Sequence, residues 1–463
     1  MRRSLEESLR DRAHAAEARW RATAARERLD RGDPAGAIAE VEAIERLRAD
    51  AGQAARLHVA AERTGPIRGR GDRRLRPSDV VAAAATARAG RVDPPIVLAY
   101  HQVSPDNPFQ TLIYRRAGAH GIAALGIDDL NELDALEATL RSDARTATPA
   151  VPALHLHWVN RILRGSRSDA EAADRTAAIA VRLAALRDRG WTVVWTVHNV
   201  LPHDAERPDA EAALRQVLAD GADLVHVMVS TTLELAAPHF RIDPGKVVHV
   251  PIPSFRGAYA DAIDRDAARY ALDLPPDARV VALVGGLRPY KGLDLLLEAF
   301  ERTASTAPDL RLLIAGPPDG SAGIDAFLAR AAADPRIAVH ARMIPGDDLQ
   351  IFLRAADAAV LPYVRTLNSA VLMLALAFDL PVIGPDLGGI PETLGATAGT
   401  LDPALATIFA AGDVDALAAA LAAVRPASPA GAAAARRVSD AHDADTLSDR
   451  LMISVRRAAE SRG

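Results

Sequence analysis

Two series of short apolar, β-branched runs, with helical stretches between most of them, constrain this 463-residue chain more than any other feature. The first series is "PPIVLAY", "PALHLHW", "WTVVWTV" and "ADLVHVMV", beginning at residue 94. The second is "RVVALVG", "LRLLIAG", "RIAVHA", "AAVLPY" and "PVIGPD". Continuous runs of this kind predict strands buried on both faces, and intervening helices predict βαβ units with parallel pairing. "KVVHVPIP" closes the first series with two prolines, a natural hinge. The expected fold is α/β, with two doubly wound parallel-sheet domains facing a cleft, at 92–252 and 253–440. Ligands of such sheets bind beyond the carboxyl ends of the strands. In "LDLLLEAFERTAS", Leu293, Leu296, Leu297 and Phe300 fall at i, i+3, i+4 and i+7, one apolar helix face.

The flanks read differently. Residues 1–91 are expected to form a helical hairpin and a basic linker, and 441–463 a C-terminal amphipathic helix packing back on the first domain. The hairpin helices offer a packing or oligomer-forming surface. The linker "RTGPIRGRGDRRLRPSD" is either solvated or in peripheral contact with anionic lipid headgroups. The first twenty residues lack an apolar h-region, and no run approaches eighteen uncharged apolar residues. The expectation is a cytoplasmic protein, peripheral at the inner face of the membrane where the linker engages lipid. A hydrophobic fraction of 49% and a charged fraction of 25% suit a soluble globular chain, and a net charge of −5 argues against general nucleic-acid binding. Cysteine is absent, which excludes disulfides, thiolate nucleophiles and Cys-ligated metals.

Lysine is nearly absent too. Of 55 Lys and Arg residues only Lys246 and Lys291 are lysine. Lys291 lies in "VALVGGLRPYKGLDLLLEAF", between an expected strand and an expected helix. Gly285 and Gly286 permit a tight turn and close approach of backbone to a ligand. Arg288 and Lys291 project from the same loop, and the helix N-terminus behind them supplies unpaired N–H groups. Two cations and a helix N-terminus form a site for a diphosphate. The alternative is that both cations are solvated and the lysine survived by chance.

The segment "GGLRPYKGLDLLLEAF" resembles the donor loop of GT-B glycosyltransferases, in particular the large retaining family numbered 4. The resemblance runs over most of 95–440 and includes "LRLLIAGPP", "DLQIFLRAADAAVLPY" and "PVIGPDLGGIPE" in the family's order. It implies that Arg288 and Lys291 contact the diphosphate of a nucleotide-sugar, with Gly286 beside them. It implies further that Arg342 and Met343 in "HARMIP" line the nucleobase pocket. The family usually carries two glutamates eight positions apart near the donor, and here those places hold Thr366 and Leu374. Asn368 and Ser369, at the start of the next helix, stand instead. They either cap that helix alone or also donate to phosphate.

In the first domain His198 follows the strand "WTVVWTV", where the resemblance places a histidine near the reacting centre. Asn199, His203 and Asp204 follow on its loop. His155 and His157 share one face if "PALHLHW" is a strand. No convincing third ligand accompanies them, so a metal is not expected. His157, Trp158 and Asn160 are expected to line an acceptor cleft, with Asn107 and Gln110 as further candidates. The resemblance implies a metal-independent hexosyltransferase-like enzyme without cofactor, retaining configuration. It would transfer sugar from a nucleoside-diphosphate-sugar to a glycan or lipid-linked acceptor, in glycan or surface polysaccharide synthesis. Two rivals share the architecture: a nucleotide-sugar epimerase and a non-catalytic nucleotide-sugar-binding protein.

Overall fold

A computed structural model describes residues 75–104, 107–143, 149–203 and 205–462. The hairpin expected before residue 63 lies outside these, as does Asp204. The described chain forms two compact units, one of 75–253 with 442–462 and one of 254–441.

The first unit contains β1 (Ile96–His101), β2 (Ile122–Gly126), β3 (Val151–Leu156), β4 (Thr192–Val197), β5 (Leu224–Val227) and β6 (Val247–His249). All pair parallel, in the order β2-β1-β3-β4-β5-β6. The order reverses between β1 and β3, which opens a crevice at their carboxyl ends. The sequence reading did not anticipate β2. Its "IAALG" is poor in β-branched residues, and neighbours rather than propensity make it a strand. One neighbour is the helix Pro77–Ala89, which falls in the stretch expected to be linker. It buries Val80, Ala83, Ala84 and Ala87 and packs on β1 and β2. The helix Ala444–Glu460 also belongs to this unit. It buries Leu447, Leu451, Met452 and Val455, and its Ser448 hydroxyl donates to the Ile113 carbonyl at 2.8 Å.

The second unit contains β7 (Arg279–Val284), β8 (Leu310–Ala315), β9 (Ile337–His340), β10 (Ala358–Val360), β11 (Val382–Pro385) and β12 (Ala406–Phe409). The order is β12-β11-β10-β7-β8-β9, again all parallel, with the reversal between β7 and β10. β12 was not anticipated; it is a four-residue edge strand after a Gly- and Ala-rich loop. The apolar face of the helix Leu293–Arg302 is fully buried against β7 and β8. Each such Leu or Phe contributes about 1.5–3 kcal/mol through burial. No described helix is long and apolar enough to cross a membrane.

Candidate functional site

In the second unit the chain leaves β7 at the switch point, and there Lys291 is almost entirely enclosed, with 6% of its surface exposed. It sits in a single 3-10 turn, Pro289–Lys291, immediately before the helix Leu293–Arg302. Gly292 forms the N-cap of that helix at φ 68°, and any Cβ there would collide with the Pro362 carbonyl. Only glycine can make this turn. The Lys291 ammonium lies beside Gly285, so close that a Cβ at 285 would stand 3.1 Å from Nζ and 3.3 Å from Val371 Cγ2. Val371 is in the first turn of the helix Ala370–Ala377. The ammonium is also 5.8 Å from the centroid of the Tyr363 ring, which follows β10. Burial, and then the neighbouring Arg288 cation, lowers the Lys291 pKa to about 8.

Neither Lys291 nor Arg288 joins an ion pair among the described residues. Arg288 instead turns one Nη donor to its neighbour, the Leu287 carbonyl, at 3.0 Å. A buried cation without a carboxylate is costly unless an anion arrives. The structure therefore gathers Gly285, Gly286, Arg288, Lys291 and the start of a second helix around one spot at the switch point.

Ser369 is the N-cap of that second helix. Its hydroxyl accepts from the Leu372 N–H at 3.1 Å and also hydrogen-bonds with Tyr363. Asn368 is not the cap, which corrects the reading that both residues cap; its carbonyl accepts the Thr366 hydroxyl at 2.7 Å. Leu374 is buried in the helix and cannot serve a ligand's hydroxyl. Arg342 and Met343 follow β9, two strands from β7 at the same sheet edge. Met343 is 68% exposed, and the Arg342 guanidinium donates one long hydrogen bond, to the Met343 carbonyl at 3.4 Å.

The first unit gathers histidines. His155, within β3, and His157, just past it, both meet the Tyr114 hydroxyl, at 2.7 and 2.6 Å. His157 Nδ1 lies 3.0 Å from His198 Nε2. Trp158 stacks on His198 with centroids 4.3 Å apart, and Phe109 meets the ring edge-on at 5.3 Å. Burial among these rings lowers the pKa values of His155, His157 and His198, so all three are neutral at neutral pH. A cavity of about 90 Å³ opens here, lined by Trp158, Asn160, His198, Asn199, His203 and Arg215, among others. Asn107 and Gln110 are occupied elsewhere. Asn107 Oδ1 accepts from the Phe109 N–H at 3.0 Å, and Gln110 bridges the Ser104 N–H and the Gln102 carbonyl. They shape the loop after β1. No cluster of metal-ligand type is found among the described residues.

Residues 278–425 match the family model described as Glycosyl transferases group 1. A D-inositol 3-phosphate glycosyltransferase of Mycolicibacterium paratuberculosis is 32% identical over 268 residues, 55% of this chain and 57% of that protein. The chain spans about half the length of the curated relatives it matches. HepE of Anabaena, solved in complex with UDP, superposes with a TM-score of 0.54 at 14% identity, over 77% of this chain and 98% of that one. Sucrose-phosphate synthase of Thermosynechococcus elongatus gives 0.54 at 17% identity, over 78% and 98%. The chain has the GT-B fold and carries a glycosyl transferases group 1 domain.

Within this GT-B chain, several residues of the two clusters escaped the sequence reading. Tyr363 ends the run "AAVLPY" and was read only as strand. Tyr114, Thr196 and His226 complete the histidine cluster, and Arg215 lines its cavity. A signal existed for His226: a histidine in the middle of the apolar strand "ADLVHVMV" needs buried partners. Tyr114 gave none, because it caps the helix Phe109–Ile113 thirteen residues beyond the end of β1 and only the fold brings it to β3.

Proposed function

We propose that this chain is a glycosyltransferase that moves a sugar from a nucleoside-diphosphate-sugar to an acceptor hydroxyl in glycan or surface polysaccharide synthesis. The observation that carries the reading is Lys291: a buried cation, without a carboxylate, between two helix starts at a sheet switch point. The family match and the UDP bound to HepE support the same ligand class. In this reading Arg288, Lys291 and the N–H groups of both helices hold the diphosphate, and Arg342 and Met343 flank the base. Asn368 and Ser369 face the donor. Trp158, Asn199 and His198 receive the acceptor; His157, buried with both ring nitrogens against Tyr114 and His198, stands behind them rather than touching it as its sequence position suggested.

The chemistry follows from charge. The anomeric carbon–oxygen bond breaks and its electron pair goes to the diphosphate. The acceptor hydroxyl oxygen bonds to the anomeric carbon on the same face, and its proton passes to the departing phosphate oxygen. Configuration is retained. The two cations stabilise the charge that grows on the leaving group, a task a metal ion performs elsewhere. Thr366 and Leu374, where an acid pair is usual, favour a second reading as a non-catalytic binding protein. Incubation with sugar-labelled nucleotide-sugars separates the readings. D-inositol 3-phosphate is the first acceptor to try, given the relatives' name. Transfer of label supports the proposal, whereas an isomerised donor or binding alone contradicts it.

Two further outcomes are expected. Nucleoside diphosphate affinity should weaken as pH rises above about 8, because Lys291 then loses its proton in the free protein. The limiting slope for loss of one charge is about tenfold per pH unit. Calorimetry from neutral to alkaline pH reads it. The adjacent pair at 368 and 369 should divide its effects. Ser369→Ala removes the cap and lowers stability by about 1 kcal/mol. Asn368→Ala weakens nucleotide-sugar binding by about 1–3 kcal/mol, the cost of an unpaired polar group. A melting curve and a binding isotherm on each variant distinguish the two.

A further inference from the structure

In the first unit the helix Pro208–Gly221 carries a buried ion pair where two cavities meet. Glu211 and Arg215 stand one turn apart, 7% and 3% exposed. Arg215 Nη1 donates both to the Glu211 carbonyl, at 3.0 Å, and to its carboxylate oxygen Oε2. Arg215 lines the cavity beside Trp158 and His198. Glu211 lines a second cavity of about 160 Å³, with Leu163, Arg164, Ala205 and Arg207. Asn160 and Pro202 line both, so the two adjoin. The pair keeps hydrogen-bonding capacity to spare. Arg215 Nε is enclosed and without a partner, and Nη2 donates to no described residue. Glu211 Oε1 accepts from none. Buried polar groups in this state are costly unless a ligand completes them.

We propose that the adjoining cavities form one site of two subsites, which takes a neutral glycan of at least two sugar rings. The Glu211–Arg215 pair stands at their junction and reads hydroxyl groups. This deepens the transferase reading and rests on it for the role of the glycan as acceptor, but the binding of the glycan does not.

Charge selects hydroxyls over an anion. A phosphate on Arg215 gains from the guanidinium but meets the Glu211 carboxylate at the neighbouring nitrogen. A sugar hydroxyl both donates and accepts, which suits a site with N–H donors on one side and a carboxylate oxygen on the other. Trp158 gives the apolar face of one ring a surface to pack on in the first cavity. The second cavity is the larger, and its described lining is polar and holds no aromatic side chain. There Arg164 joins no ion pair among the described residues, so its donors serve the hydroxyls of a second ring. A single-ring acceptor such as D-inositol 3-phosphate fills one cavity and leaves the other to water.

Ligand-observed NMR and calorimetry of the full chain, without a donor, test the two subsites. The probes are a ladder of one-, two- and three-ring glycans of the common hexoses and N-acetylhexosamines, with myo-inositol and D-inositol 3-phosphate alongside. At least one two-ring glycan should bind about tenfold or more tighter than either of its rings alone. Ala205→Trp fills the second cavity and should erase that gain, with single-ring affinity within about twofold of wild type. Arg164→Ala, at an exposed position, should cut the gain about fivefold and provides a second variant should Ala205→Trp not fold. Adding a phosphate to a ring that binds should tighten wild-type binding by no more than about threefold, whereas in Glu211→Gln, with the pair unbalanced, it should do so about tenfold or more. A ladder with no gain from a second ring, a gain that survives in both folded variants, or a wild-type preference for phosphorylated rings above about tenfold overturns the proposal. If a two-ring glycan binds as expected but no nucleotide-sugar supports transfer to it, the subsites stand and the transferase reading fails. Transfer to a single ring, unimproved by a second, removes the subsites and leaves the transferase reading in place.

Discussion

Replacing Lys291 by methionine is expected to raise the melting temperature while removing nucleoside diphosphate binding and lowering transfer by 10²-fold or more. Both effects come from one property. The ammonium is 6% exposed and, among the described residues, faces no carboxylate, so its burial costs stability in the empty protein. The folded-state pKa of about 8 lies below the ordinary 10.5. Below about 8 lysine is protonated in both states, and the full penalty applies. Between about 8 and 10.5 the folded protein sheds the proton that the unfolded chain keeps, and stability rises with pH. Above that range the penalty is gone. The difference corresponds to about 3 kcal/mol. Methionine fills the same space without charge and should gain roughly that much at neutral pH. Its advantage over wild type should shrink as pH climbs through that window. The loss of function follows from the missing charge on the leaving group, since one such interaction is typically worth about 10²–10³ in rate. Lys291→Arg should also be impaired, because the turn beside Gly285 accommodates a narrow ammonium and not a broad guanidinium. Melting curves at several pH values, with turnover of both variants, check this. Wild-type turnover in both variants would end the assignment.

His198→Ala should reverse that pattern in part. His198 belongs to the unit that does not carry Lys291. Its removal is expected to lower turnover by about 10²-fold or more and leave nucleoside diphosphate affinity within twofold. The variant should fold, because His198 is partly exposed and its neighbours His155 and His157 keep their contacts to Tyr114. Calorimetry and steady-state rates on one preparation suffice. A large loss of nucleotide affinity with normal turnover would show that the histidine serves the donor instead.

The fold was legible because its strands are buried on both faces. "RVVALV" and "LRLLIA" have no polar face to hide, and strands of that kind need helices on either side. The two strands that escaped, β2 and β12, are edge strands of four or five residues, and their pairing partners make them strands. Lys291 was legible for a different reason: in a chain with 55 Lys and Arg residues and only two lysines, a lysine beside a glycine pair stands out. Its burial was not legible, since that depends on Tyr363 and Val371 from later elements. The histidine cluster shows the same limit. His155 and His157 declared themselves by spacing, but Tyr114, Thr196 and His226 join them only across β3, β4 and β5.

Titration calorimetry with a panel of nucleoside diphosphates, UDP first, tests the central claim most directly. Wild-type protein should bind at least one of them with one site per chain, and Lys291→Met should show no heat of binding under the same conditions. Absence of binding across the whole panel, or equal affinity in wild type and Lys291→Met, would contradict a diphosphate site at the β7 switch point.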